Sequence, residues 1–110
     1  MNSFNLPNTR VNNNNGWCRV YLYNTNIIKF DDDEIVLNYE NDKFKTPTTK
    51  NRLNQISKIY DLGFKVIQKK GSWYAEFKGF QVLFSRCVRL HRKGNAVYSL
   101  PNNINSNSFK

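Results

Sequence analysis

Residues 46–74, TPTTKNRLNQISKIYDLGFKVIQKKGSWY, decide the fold, because they place a capped amphipathic helix directly before a β-hairpin. Residues 46–49 (TPTT) are typical of a helix start, since a hydroxyl can accept from the free amides and proline tolerates the first turn. Gly63 can take the left-handed conformation that ends a helix. The pattern predicts a helix over about 48–62 that packs one face on a sheet. That face carries the apolar residues at three- and four-residue spacing: Leu53, Ile56, Ile59 and Tyr60.

The rest of the sequence between the Asn-rich ends has the alternation that is typical of β-strands. Apolar and polar residues alternate over 64–69 and 73–78, and Lys70-Gly71-Ser72 provides the turn between them. Further strands are predicted at 18–22, 27–30, 35–39, 80–84, 87–91 and 96–99. Every connection except the one through the helix is too short for a crossover, so neighbouring strands pair antiparallel. The predicted class is α+β, in the order βββ-α-ββββ, with one antiparallel sheet of about seven strands and one amphipathic helix.

The chain of 110 residues is long enough for one small domain. Residues 1–16 and 101–110 are rich in Asn and carry little apolar pattern, so burial cannot offset the entropy cost of ordering them. We therefore expect a single domain over 17–100 between flexible tails at 1–16 and 101–110.

The positive charge is concentrated in one part of the chain. Residues 1–42 carry a net charge of −3 and residues 43–93 carry +11, and Lys110 brings the total to +9. Such asymmetry points to a polyanionic partner for the second part, although a cationic surface also serves solubility.

Several function classes lack the residues that they need. The only histidine, His91, would lie about 13 Å from Cys87 along one strand, too far for a Cys/His dyad. The two cysteines and this histidine show no metal-ligand spacing, and Asp31-Asp32-Asp33-Glu34 lacks the glycine of a calcium loop. We expect no enzyme activity, no cofactor and no metal. Cys18 and Cys87 are expected to be reduced thiols.

No apolar run of about 18 residues is available to span a bilayer, and the N-terminal residues carry no apolar signal segment. We therefore expect a protein that acts away from membranes.

The polar face of the helix is the first candidate site. Lysine neutralises phosphate, while asparagine and glutamine can pair with adenine in a major groove. An ordinary solvated helix face uses the same residue types, so this interpretation and the structural one both stay open. The residues of the face are Lys50, Asn51, Asn54, Gln55 and Lys58, with Arg52 at its border.

The hairpin tips are the second candidate site. Lys69-Lys70 and Arg92-Lys93 would form a basic rim with Arg89 if the hairpins lie side by side. Trp73 and Tyr74 point to opposite faces of one strand, so one is core and the other could stack on a base. Lysines at sheet edges also prevent aggregation, which is the alternative explanation for this set.

The chain resembles a group of small bacteriophage proteins found in marine and other phage genomes. The resemblance covers about 19–84 and rests on RVYLYNTNIIKF, IVLN, TPTTKNRLNQ and VIQKKGSWY, most specifically on Thr48-Thr49-Lys50, Arg52, Asn54, Gln68 and Trp73-Tyr74. It implies a phage protein that acts in the host bacterial cytoplasm. It brings no assigned activity, so it implies no functional residues.

Three functions are consistent with these features. The first is a non-enzymatic accessory protein that binds DNA or RNA through the helix face and the hairpin tips. The second is a protein-binding inhibitor or modulator of a host factor, favoured only by the acidic turn at 31–34. The third is a minor component of the virion.

Overall fold

A computed structural model describes residues 6–99, so the predicted tail at 101–110 lies outside the described residues. The described chain forms nine strands, a 3-10 turn and one α-helix. In chain order these are β1 (Thr9–Asn14), β2 (Trp17–Leu22), β3 (Thr25–Phe30), β4 (Glu34–Asn38), the 3-10 turn (Asp42–Phe44), α1 (Pro47–Ile59), β5 (Lys65–Lys69), β6 (Ser72–Phe77), β7 (Phe80–Leu83), β8 (Cys87–His91) and β9 (Tyr98–Ser99).

The strands form two antiparallel sheets, which confirms the α+β class. The larger sheet has six strands in the order β1-β2-β3-β4-β8-β9, and the smaller has three in the order β5-β6-β7. The prediction of one sheet was wrong because the chain changes direction after β7. Arg86 has a φ of 74°, and its carbonyl accepts from the amide of Tyr39, so β8 pairs with β4 and not with β7.

Strand β1 shows that residues 9–14, within the tail predicted over 1–16, are paired in the sheet, whereas residues 1–5 of that tail lie outside the described residues. Asn15 and Gly16 both have positive φ, 53° and 82°, which fits a two-residue turn whose twist matches the flanking strands. All six residues of β1 pair with β2, and Val11 lies opposite Val20 and packs against the core. Backbone pairing with β2 thus orders a segment whose side chains are mostly polar.

Helix α1 begins as predicted. Thr46 accepts a hydrogen bond from the amide of Thr49 through its hydroxyl, and Pro47 occupies the first turn. Leu53 and Ile56 are fully buried against the sheets. Ile59 was predicted on the same face but is 45% exposed, because the helix ends there.

The helix ends in a different way from the prediction. Gly63 takes the left-handed conformation that was predicted for it, with a φ of 84°, but it lies beyond the cap. The residue that directly follows the C-cap is Asp61, which is also left-handed, with a φ of 54°. The amides of Asp61 and Leu62 donate to the carbonyls of Lys58 and Ser57, at 3.3 and 2.9 Å. These two bonds form a Schellman motif, in which Leu62 turns back into the core.

Candidate nucleic-acid interface

The polar helix face is only partly available to a ligand. Arg52 was predicted at the border of this face, but it is only 9% exposed. Its Nη1 donates to Oε1 of Gln55 at 3.1 Å, so these two predicted site residues bind each other. Little of the Arg52 side chain is therefore exposed for a ligand.

Asn54 has a structural partner. Its Oδ1 accepts from the amide of Val66 at 2.7 Å, and its Nδ2 donates to the carbonyl of the same residue at 3.0 Å. The bidentate edge of this amide is thus already occupied, so it is not free to pair with the edge of an adenine. Of the six residues predicted for the helix face, Asn51 and Lys58 are exposed and Lys50 is half-buried.

The two hairpin tips do not form one rim. Lys69 and Lys70 lie at the β5–β6 turn, where Lys69 donates to Oε1 of Gln81 at 3.0 Å. Lys78, at the other end of β6, donates to the carbonyl of Arg92 at 2.8 Å. Strand β6 is six residues long, so the predicted tips are about 20 Å apart.

Both basic residues of the second tip have partners within the chain. Arg92 donates through Nη1 to the carbonyl of Asp31 at 2.6 Å, and Lys93 lies 3.3 Å from Oδ1 of Asp33. The acidic turn at 31–34, which favoured the hypothesis of a protein-binding inhibitor, therefore contacts cations of the same chain.

A different surface gathers positive charge, on the face of the six-stranded sheet that points away from the core. Cross-strand register aligns Asn12, Arg19, Lys29, Val36, Arg89 and Ser99 in one row from β1 to β9. Residues one position away on these strands, such as Val20, Ile28 and Val88, are fully buried, which shows that the row lies on the opposite face. We call this surface the cationic sheet face and define it by Arg10, Trp17, Arg19, Tyr21, Lys29 and Arg89.

Aromatic rings hold two of these cations in place. The guanidinium carbon of Arg10 lies 4.3 Å from the centre of the Tyr21 ring. The ammonium of Lys29 lies 4.8 Å from the centre of the Trp17 ring. Both distances are within the range of a cation–π interaction, which orders the side chains before any ligand arrives.

The electrostatics of the face show a concentration of positive charge. Burial lowers the pKa of Lys29, the like charges of Arg19 and Arg89 lower it further, and Glu34 opposes them. Glu34 also forms an ion pair with Arg89 at 2.7 Å between Nε and Oε1. One carboxylate thus lies among several cations, and an anionic ligand would relieve their repulsion.

Cys87 lies at the border of the same face. Burial raises the pKa of its thiol, and the nearby cations Arg89, Lys29 and Arg86 oppose that rise. Both Cys18 and Cys87 are free thiols and are half-buried.

Arg89 is the only residue of the cationic sheet face that the sequence analysis predicted as a site residue. Arg10 lies in the segment predicted as a tail, and Arg19 and Lys29 lie in the part of the chain with net charge −3. The signal that could have found them is the alternation Trp17, Arg19, Tyr21 on one side of β2, together with the Asn15-Gly16 turn.

Within residues 6–99, no group of three or more His, Cys, Asp or Glu side chains could hold a metal ion. Among the described helices, none has the length and apolar character needed to cross a membrane.

The fold and this surface define a small basic α+β protein built on a sheet with one cationic face. Residues 1–97 match the family model of the Kyanoviridae Gp96 protein, and the chain belongs to this family of phage proteins. The phage origin implied by the resemblance is thereby confirmed. No curated protein and no solved structure matches the chain.

Proposed function

We propose that this phage protein binds nucleic acid without catalysis, in the host bacterial cytoplasm, through the cationic sheet face. The observation that carries the proposal is that Arg19 and the exposed Arg89 lie in one row on one side of the sheet, with the exposed Arg10 on the neighbouring strand β1. Lys29 lies between Arg19 and Arg89 in that row, but it is only 8% exposed, so it contributes its charge and not a direct phosphate contact. Lysine and arginine side chains in such an array neutralise phosphates and release their counterions.

The restricted mobility of the side chains on this face supports the same proposal. A flexible cation loses rotamer entropy when it binds a phosphate, and that loss is smaller when the side chain is already held. Arg10, which is exposed, is held by the ring of Tyr21 on this face. The helix face has no comparable arrangement, since Arg52 and Asn54 are used within the fold.

The test compares two variants with the same change of charge. Arg10→Gln/Arg19→Gln removes two cations from the sheet face, and Lys50→Gln/Lys58→Gln removes two from the helix. Affinity for labelled single-stranded DNA, duplex DNA and RNA is measured by fluorescence anisotropy at two salt concentrations.

We expect the sheet variant to weaken binding and to reduce the slope of log affinity against log salt by about 1 to 2. The helix variant should change both quantities less. Equal losses in the two variants, or no salt-dependent binding by the unaltered protein, would contradict the proposal.

A second candidate function is contact with another protein, either a host factor or other subunits of a virion. It is favoured by the edge strand β7, where Phe80 and Leu83 are 54% and 47% exposed. Large apolar side chains on an open edge are typical of protein contacts. Detection of the chain in purified particles would support the virion role, and its absence there would remove that role.

A further inference from the structure

The Trp17 side chain has one side that can receive a ligand. Lys29, which contacts the ring, is 8% exposed, whereas Trp17 itself is half-buried. One face of the indole lies against the ammonium of Lys29, and Trp17 is only half-buried, so part of this side chain is open to a ligand. The exposed side of a tryptophan is the preferred stacking surface for an unpaired base.

An open depression of about 400 Å³ lies beside this ring, at the turn between β1 and β2. Its volume falls in the range of pockets that hold small organic groups. The wall includes Trp17, the asparagines at 13–15, the acidic residues Asp31 and Asp32, and one cation, Arg92. Amides and carboxylates offer both donors and acceptors, which is what the edge of a base requires.

The distribution of charge separates a place for bases from a place for phosphates. Two acidic residues, Asp31 and Asp32, line the depression against one cation, Arg92, whose Nη1 already donates to the carbonyl of Asp31. The net negative charge of this lining disfavours a phosphate there. Arg10 and Arg19 lie farther along β1 and β2 on the cationic sheet face, where phosphates are favoured. A strand of nucleic acid can satisfy both places only if one of its bases is free to leave the stack.

We propose that the ligand is single-stranded nucleic acid, with one unpaired base stacked on Trp17 in the depression and with its phosphates on Arg10 and Arg19. This inference rests on the proposed function and deepens it. Duplex DNA keeps its bases paired and stacked, so it can offer only its phosphates to this surface.

The experiment follows tryptophan fluorescence during titration with short oligothymidine, oligouridine, duplex DNA and inorganic polyphosphate. Trp73 is 3% exposed in the core and serves as the internal reference for the signal of Trp17. Trp17→Leu removes the stacking surface without a change of charge. Tyr98→Leu is the matched control, because Tyr98 is an exposed aromatic residue on β9, away from the depression.

We expect the two single strands to quench the fluorescence and to bind roughly ten-fold or more tightly than the duplex. Trp17→Leu should abolish the quenching and weaken single-strand binding about ten-fold, whereas Tyr98→Leu should leave both unchanged. Polyphosphate should bind without quenching.

Two outcomes would overturn the inference, and they can be told apart. Equal binding of single strands and duplex without quenching would refute the base site but leave the proposed function standing. Failure of all four ligands to bind would refute both. Circular dichroism and the melting temperature of Trp17→Leu establish that a loss of binding does not come from unfolding.

Discussion

The side-chain amide of Asn54 forms both hydrogen bonds that the backbone of Val66 directs away from β6, at 2.7 and 3.0 Å. Val66 lies on β5, an edge of the three-stranded sheet, so the amide replaces a missing neighbouring strand. One turn later, Ser57 does the same for Phe64, accepting from its amide at 3.1 Å and donating to its carbonyl at 2.7 Å. Two side chains of α1 thus attach the helix to β5 and protect that edge.

Asn54→Ala should destabilise the fold by about 2 to 4 kcal/mol, because two buried backbone groups lose their partners. Urea denaturation measures the change. Asn51→Ala is the control, since Asn51 is exposed on the same helix and should change stability by less than about 0.5 kcal/mol. If the two variants are equally stable, the hydrogen bonds of Asn54 do not hold the helix on β5.

Asp61→Gly should stabilise the protein by about 1 kcal/mol. Asp61 has a φ of 54° after the end of α1, a conformation that glycine adopts without strain. The substitution also removes a negative charge from the negative end of the helix dipole. Asp61→Asn should give roughly half of the gain, because it removes only the charge. A lower thermal midpoint for Asp61→Gly would contradict the Schellman geometry.

Lys29→Met should weaken binding of nucleic acid while it preserves or raises stability. Lys29 is buried and its pKa is lowered by burial and by Arg19 and Arg89. Its charge therefore opposes folding by a constant amount below the folded-state pKa. That cost falls as pH rises from the folded-state to the unfolded-state value and is absent above the latter. Replacing such a charge with an apolar side chain is often stabilising by about 1 kcal/mol or more. A destabilised variant that binds as tightly as the original would show that Lys29 serves only the fold.

Both thiols should react slowly with a maleimide or a disulfide reagent at neutral pH. Burial raises the pKa of Cys18 and Cys87, although a hydrogen bond with Tyr60 lowers that of Cys18 in part. The thiolate is the reactive form, so modification should be several-fold slower in the folded protein than in urea. Equal modification rates in the folded protein and in urea would contradict the raised pKa values of the thiols.

The raised pKa values of the two thiols also make the stability of the folded protein depend on pH. A raised folded-state pKa means that protonated thiols favour the folded protein. Their contribution is complete below about pH 8.5, the value of an unfolded cysteine, and is lost as pH rises through the folded-state values. Replacing both cysteines by serine should remove this part of the alkaline loss of stability.

Most strands and the helix could be predicted because their signals are local. Apolar periodicity and turn residues identified β2 to β8, α1 and the Thr46 cap to within a few residues. Strand β1 could not be found in this way, since Thr9–Asn14 has little apolar alternation and is ordered by pairing with β2.

The candidate site was harder to predict because it depends on register. Arg19 and Arg89 are 70 positions apart in the sequence, and only the pairings of β3 and β4 between them bring them onto one row. Net charge counted along the chain assigns these two residues to different parts of the protein. The helix face was predicted from composition, which does not show that Asn54 is bound to Val66.

The most direct test of the proposed interface is a map of backbone amide chemical shifts during titration with a short single-stranded oligonucleotide. We expect the largest changes in β1, β2, β3 and β8, around Arg10, Arg19, Lys29 and Arg89, with the amides of α1 between Lys50 and Lys58 nearly unmoved. Changes confined to α1 and the β5–β6 turn, with the six-stranded sheet unaffected, would contradict the assignment of binding to the cationic sheet face.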